Sequence, residues 1–464
     1  MSSASNSISI KSLYALFRKS LSGEEQDYTA GSIRKAIFLL SIPMILEMCM
    51  ESVFAVVDIF FVGRIGKEAV ATVALTESVL TIVYSVAIGL SMAATAMVAR
   101  RIGEKKPDEA SKSAVQAIIV ALAVTVVVSI TGFLLAPNIL QVMGAAKEVV
   151  ETGVSYTRIM FGGSIVIMML YLINGIFRGA GNASIAMWSL WLANGLNVIL
   201  CPIMIHFYGV KGAAIATTIG RGAGVCFQLY HLFKGSGAIH ILKKYFAPDW
   251  EIIKSVLNIA WSGTAQFLIG SASWIVLARI IAEFGSATVA GYQVAIRILL
   301  FFLLPAWGMS NATATLVGQN LGAKQPERAE QSVWKTAKYN AIFMLFVTLL
   351  FLLASEPIVT FMNPDPSVEK IAVQVLHVVT AGYIFYGVGM VLINAFNGAG
   401  DTKTPTIISL FCFWAFQIPI AYLMAITFGL GPKGVFLAII IAETAITIVA
   451  FIIFRQGKWK KTKV

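Results

Sequence analysis

The sequence predicts an all-α integral membrane protein, with twelve transmembrane helices in two six-helix lobes related by a pseudo-twofold axis along the membrane normal. Three observations lead there. The chain is 58% hydrophobic, 12% charged and has a mean hydropathy of +0.81, whereas soluble domains carry about 25% charged residues. Its apolar residues gather into stretches that meet the length of about 20 residues needed to span a bilayer. The chain also repeats itself at an offset of 219 residues.

Twelve stretches qualify, near 34–62, 69–99, 113–136, 150–177, 184–206, 211–233, 252–282, 287–317, 333–354, 369–397, 404–428 and 434–455. Several exceed the minimum, which predicts tilting or kinking. A net charge of +12 raises the question of a nucleic-acid partner, and the distribution of the basic residues answers it. With the N-terminus inside, 25 of the 35 Lys and Arg fall on cytoplasmic segments and 6 on outer loops; Arg158, Arg221, Arg279 and Arg297 fall within spans. The positive-inside rule predicts that asymmetry, so the excess sets topology, both termini face the cytoplasm of a cell (inner) membrane, and no nucleic acid is implied.

Residues 1–31 form a polar N-terminal tail without the apolar core and small-residue cleavage site of a secretory signal. Within it, ISIKSLYALFRKSL reads as an amphipathic helix on the inner membrane face or as a disordered tail. The N-lobe follows over 32–233. A connector over 234–250, KGSGAIHILKKYFAPDW, has the Gly, Pro and Lys content of a cytoplasmic loop. The C-lobe spans 251–455, and 456–464 is a basic C-terminal tail. The repeat sets these boundaries. RIGEKKPDEASKS from Arg101 aligns with NLGAKQPERAEQS from Asn320, and FRGAGNAS with FNGAGDTK; late in each half the register slips by three, GVKGAA at Gly209 matching GPKGVF at Gly431. Six spans return a chain to the side it left, so the two copies point the same way, and a binding site between or within the lobes near mid-membrane is expected.

The first span, ILEMCMESVFAVVDIFFVG, carries Glu47, Glu51 and Asp58. On a helix, Glu47 and Glu51 lie roughly 40° apart with Asp58 roughly 20° from each, so all three share a face. An acid facing lipid at mid-span costs on the order of 2.5–3.5 kcal/mol, so that face looks into protein or a wet cavity. Pro43 allows the helix to bend. The structural alternative is pairing with buried arginines. At the offset of 219 the three acids correspond to Gln266, Gly270 and Leu277, which places the ion-handling chemistry in the first lobe. A water-accessible buried carboxylate exchanges a proton, and clustered oxygens also suit Na⁺, so H⁺ or Na⁺ at Asp58 is the expected coupling ion and no cofactor is expected.

With Pro43, DIFFVGRIG, ARRIGEKKP, INGIFRGAGN and NGLNVILCPIMI followed by HFYGVKGAAIAT, the chain from about Ser32 to Arg455 resembles the multidrug and toxic compound extrusion (MATE) transporters. The resemblance implies a V-shaped pair of lobes, alternating access, and export of organic cations or other amphipathic compounds against H⁺ or Na⁺, by a monomer in the lipid bilayer. It carries the proton- or cation-coupling role onto Asp58, Tyr156, Asn174, Asn197 and Thr218. The fifth-helix aspartate of the pattern is missing, Cys201 standing before Pro202, and Glu51, with Glu47 beside it, is expected to supply the second carboxylate. In the second lobe Gln266, Tyr383 and Asn394 are candidate substrate contacts, together with Glu77 on the second span. Neither the seventh nor the tenth span holds the acids another branch of the family uses there.

The remaining polar groups carry less. Glu443, Arg279, Glu283, Gln293 and Arg297 read as interhelical network residues. Met44, Met48, Met50, Met92, Met168, Met169, Phe54, Tyr84 and Trp188 are either a soft pocket wall or ordinary core and lipid contacts. Cys49, Cys201, Cys226 and Cys412 have no paired spacing, and the four histidines no metal-ligand spacing. The alternative function is a flippase for lipid-linked sugars of the same superfamily: twelve spans and the first-helix acids argue against it, while Arg158 and Arg221 keep it open. A membrane-embedded enzyme would need a catalytic cluster that the sequence lacks, and a channel a filter segment.

Overall fold

The computed structural model describes residues 10–23, 26–234, 237–363 and 365–464. Among these, nine helices are long and apolar enough to cross a membrane, and a tenth crossing is the broken pair Pro366–Thr380 and Tyr383–Ala399, bent by 57°. Two further helices, Ile33–Gly63 and Val210–Lys234, complete the two six-helix bundles. They are the first and sixth transmembrane helices, and they carry the acids and Arg221. Several helices outrun their apolar stretches by one or two turns on the basic face, the second ending at Gly103 and the third starting at Pro107. Hydropathy does not register those charged turns.

The backbone repeats as the sequence does. Lys105 and Lys324, 219 residues apart, are the two described non-glycine residues in the left-handed region, at φ 59° and 58°. Each ends a helix just before a proline that starts the next, which is the αL stop followed by a Pro start. The fourth helix breaks at Gly163 between Lys147–Gly162 and Ser164–Gly179, and the tenth at Gly382. The third breaks at Leu135, and the ninth loses helical geometry at Ala354. Pro43 leaves Ile33–Gly63 one continuous helix.

The lobes meet where side chains are absent. A β-carbon at Gly89 on the second helix would overlap Thr264 Oγ1 and the Ala260 carbonyl of the seventh; one at Gly308 on the eighth would overlap the Met44 carbonyl of the first. At the basic end, Gly103 abuts the Gln319 carbonyl and Gly322 the Arg100 carbonyl. Both pairs are related by the 219-residue offset, so each lobe offers the other the same close approach. Tyr28, Ile33, Ile37, Leu40 and Met44 pack with Ala312 and Leu316 to fill this seam with apolar surface.

Both tails are tied down across the seam. The segment Ile10–Leu21 is helical, and its last turn lies beside the fifth helix, Ser184 Oγ donating to the Ser20 carbonyl at 2.6 Å and Trp188 Nε1 to that of Leu21 at 3.2 Å. The Arg328 guanidinium then takes the carbonyls of Tyr28, Ala30 and Gly31, while Tyr28 donates to Gly181 of the first lobe. At the other end Trp459 is buried, stacked on Phe454, and Lys460 bonds Glu330 at 2.6 Å. Arg100 reaches the Thr462 carbonyl and Arg101 that of Val464. The connector, apart from 235–236, which lie outside the described residues, packs on the third helix: Gln116 Nε2 donates to Tyr245 and Ala247 carbonyls at 2.7 and 2.9 Å.

Asp249 caps the seventh helix, accepting from the Glu251 and Ile252 amides, and meets Lys112 at 2.6 Å. That hydrogen bond holds its carboxyl below the usual 3.8. A lowered carboxylate contributes stability above its unfolded value and loses it as pH falls through the folded one, so the contribution is complete at neutral pH and disappears only under strong acid. Asp249→Ala should cost about 1 kcal/mol of local stability, read as faster hydrogen exchange at Glu251 and Ile252, with Asp249→Asn keeping most of the cap. Gly89→Leu should hold the lobes apart, lengthening spin-label distances between the second and seventh helices on the basic face.

Candidate functional site

The shared face of the first helix looks into the first lobe, and its three acids have three different surroundings. Glu47 is 2% exposed; Asn174 Nδ2 donates to it at 3.0 Å and Arg178 lies 3.7 Å away. Asn174 in turn accepts from Gln228 at 2.6 Å and Ser189 at 3.0 Å. Glu51, one turn on, accepts from Tyr171 at 3.2 Å and Asn194 at 3.0 Å, with the Arg221 guanidinium at 3.4 Å. Arg221 is itself buried and lies over the rings of Phe54 and Tyr84 at 5.4 and 5.5 Å. A buried charge persists only when paired and hydrogen-bonded; helices one, two, four, five and six supply the pairing here, while among the described residues Glu47 Oε2 and Arg221 Nε and Nη1 are buried without hydrogen-bond partners.

Asp58 differs. It is 6% exposed, and its hydrogen-bond partner is the Cys201 thiol, at 3.8 Å. Among the described residues no basic side chain lies within ion-pair distance of it. Tyr156 is buried close by, in the cluster that also holds Val62, Leu80 and Cys201. Asn197 faces Thr217, at 3.0 Å, not Thr218. Thr218 donates to its own helix at Ala214 and packs over the break at Gly163. One residue along a helix turns a side chain by about 100°, enough to exchange one wall for another.

Between the lobes lies a cavity of about 430 Å³. The second helix contributes Thr81, Tyr84, Ile88, Met92 and Thr95 at helical spacing; Glu77, one turn above Thr81 on the same stripe, is exposed and in electrostatic reach of Asp58, Arg221 and Arg297. Met48, Glu51, Tyr171 and Arg178 complete the first-lobe wall. Phe267, stacked on Trp307 at 6.0 Å, faces them from the second with Asn394 and Asn397. Asn394 donates to Ser310 at 2.9 Å. Gln266 stands outside this wall with a buried, unpartnered carbonyl oxygen, and Tyr383 lines a separate cavity inside the second lobe. Among the described residues no group of three or more His, Cys, Asp and Glu side chains is placed to hold a metal ion.

The MatE family profile matches residues 43–203 and 264–423, one match in each lobe. The chain belongs to the MATE family. Among its relatives is "Probable multidrug resistance protein NorM" of Thermotoga maritima, 26% identical over 457 residues, covering 97% of each chain. A crystal structure of MATE in complex with MaL6 superposes with a TM-score of 0.90 at 28% identity, over 94% of this chain and 99% of that one. An outward-facing multidrug resistance MATE transporter of the MOP superfamily superposes at 0.88 with 29% identity, over 94% and 98%. The protein is a multi-pass membrane transporter of small molecules, not an enzyme.

Within this MATE chain, the residues sequence reasoning overlooked are Tyr171, Arg178, Ser189, Asn194, Thr217 and Gln228. Arg178 lies in FRGAG and reads as topogenic, yet its side chain returns into the lobe to Glu47 and to Ser91 Oγ at 3.1 Å. Tyr171, Asn174 and Arg178 share one helical face, the signal that could have found them. The methionines divide: Met48 and Met92 line the central cavity, while Met44 and Met168 are core. Trp188 ties the N-terminal segment. Arg158 is exposed over Phe133, and its repeat equivalent His377 bonds Ser355 at 2.7 Å.

Arg221→Ala leaves Glu51 unpaired at the cavity wall. A cost of about 3 kcal/mol follows, the low end for a broken buried pair because Glu51 keeps contact with the cavity. Melting of the purified protein should show Arg221→Ala below the Glu51→Gln/Arg221→Gln double variant, in which no charge is stranded.

Proposed function

We propose that this MATE transporter is a secondary active antiporter exporting organic cations or other amphipathic compounds by alternating access, with the proton as counter-ion and Asp58 as the group that carries it. The observation that carries the reading is the contrast along one helix: Glu47 and Glu51 face guanidinium groups, and Asp58 does not. A carboxylate already neutralised by an arginine gains little from a second cation. An unpaired one in an apolar wall gains much from a proton. The thiol beside Asp58 also favours H⁺ over Na⁺, because a hard cation wants several oxygen ligands and Cys201 offers sulfur. Tyr156 lies close to this position, and Glu47 with Asn174 braces the helix that bears it.

The central cavity suits the substrate. Its wall is mainly aromatic, Met and small polar side chains, with Glu51 and Arg178 balancing in charge, a lining that admits varied amphipathic molecules. The positive-inside distribution supports a cell (inner) membrane location with both tails in the cytoplasm, so the sealed basic face is the inner one and the cavity discharges outward. The names of the relatives, multidrug resistance and multidrug export, support the same substrate class. The working unit is taken as the monomer.

Purified protein in liposomes, given a fluorescent organic cation and separately a pH or a Na⁺ gradient, tests the reading. Transport should follow the pH gradient, and Asp58→Asn should abolish the gradient-driven component while leaving binding of the cation in place. Glu51→Gln should lower the rate with coupling retained. Transport that tracks Na⁺ alone, or that survives Asp58→Asn unchanged, would refute the assignment.

A further inference from the structure

The second lobe carries a buried acid of its own. Glu443 on the twelfth helix is 7% exposed, and among the described residues its carboxylate makes no ion pair and no hydrogen bond. Sequence reasoning makes it a member of an interhelical network; the structure sets it instead on the wall of a cavity of about 340 Å³ lined by Trp274, Tyr292, Gln293, Tyr383 and Tyr386. Tyr383 and Tyr386 hold their rings 6.2 Å apart, and the hydroxyl of Tyr292 is buried without a partner. The cavity opens past Ile275 and Leu300, both exposed.

The repeat says what such a wall is built to meet. In the register that carries Gly209 onto Gly431, Arg221 falls on Glu443. The first lobe places a guanidinium there, over two aromatic rings and against Glu51. At this position the second lobe has aromatic rings and a carboxylate, and among the described residues no basic side chain lines the cavity or pairs with Glu443. Aromatic faces attract organic cations, most strongly out of water, and a carboxylate adds the matching charge. An inorganic ion would need a shell of oxygens, and this lining is largely hydrocarbon.

We propose that the second lobe holds a binding site for a monovalent organic cation, an alkylammonium or guanidinium group held by Glu443 within the rings of Trp274, Tyr383 and Tyr386. It is separate from Asp58 and stands whether or not Asp58 couples transport to protons. The test titrates benzyltrimethylammonium into the purified full-length protein by calorimetry, with its uncharged isostere neopentylbenzene as control. Wild type should bind the cation saturably and the isostere at least about tenfold more weakly. Glu443→Gln should lose about tenfold in affinity for the cation, as should Tyr386→Ala, whereas Tyr386→Phe keeps the ring and the affinity. Asp58→Asn should bind as wild type, which separates failure of this site from failure of the coupling site. Absence of saturable binding to wild type overturns the proposal, as does unchanged affinity in Glu443→Gln or, should that variant not fold, in Tyr386→Ala.

Discussion

The ion pair between Glu51 and Arg221 is the contact on which the first lobe is arranged. Neither charge could stay inside a bundle alone, since the penalty for an uncompensated buried ion is several kcal/mol. Holding both there requires donors for the carboxylate and surface for the guanidinium. Tyr171 and Asn194 supply the first, and Phe54 and Tyr84 the second. Five helices are thereby drawn to one point. Glu47 and Arg178 repeat the arrangement one turn nearer the basic face, where Asn174, Gln228 and Ser189 complete the polar chain. What remains beyond these pairs is Asp58, which among the described residues has no guanidinium within ion-pair distance.

Duplication has preserved the backbone and released the side chains. The left-handed lysines, the mid-helix breaks at Gly163 and Gly382, and the glycine crossings at the seam all recur at the same offset. Each depends on local geometry or on one close approach, which a second copy inherits whole. Charged networks depend on partners scattered over several helices. Losing one member strands the rest, so a network is kept or dismantled together. Glu51 corresponds to Gly270, Arg178 to Asn397 and Arg221 to Glu443; the second lobe has dismantled the network and inverted the charge at its centre.

This division explains what could be read in advance. Hydropathy, the repeat and the shared face of Glu47, Glu51 and Asp58 are properties of single helices and of spacing, and they give the bundle, its symmetry and the lobe that holds the acids. The partners of those acids are tertiary facts. Arg178 looks like a membrane-edge residue because it ends a helix, and only its long side chain, folded back along that helix, brings its charge to Glu47. Thr217 and Thr218 are equivalent in the sequence and differ by which wall they face. Glu443 looks like a network residue because acids in spans usually are; whether a partner stands opposite is not encoded near it.

The seam at the basic face sets how such a molecule can change shape. Its apolar part comprises the glycine-lined crossings, the cluster around Leu40 and Met44, and the seventh-helix residues Ile253, Val256, Ile259 and Ala260 packed into the first lobe's core beside Leu90, Met97 and Val98. The rest is polar: Arg328 on three carbonyls, Arg100 and Arg101 on the end of the chain, Lys105 near Asp27 at 3.4 Å. The exposed Lys105–Asp27 pair contributes little, about 0–1 kcal/mol, and water replaces such contacts when they part. A seam closed mainly by large apolar surface would be held by dispersion attraction summed over many atom pairs, all of it forfeited together on opening. The polar part of this seam can open without a comparable loss, so its apolar packing sets the cost of opening, and the tails, anchored in one lobe and bonded to the other, bear on the same balance.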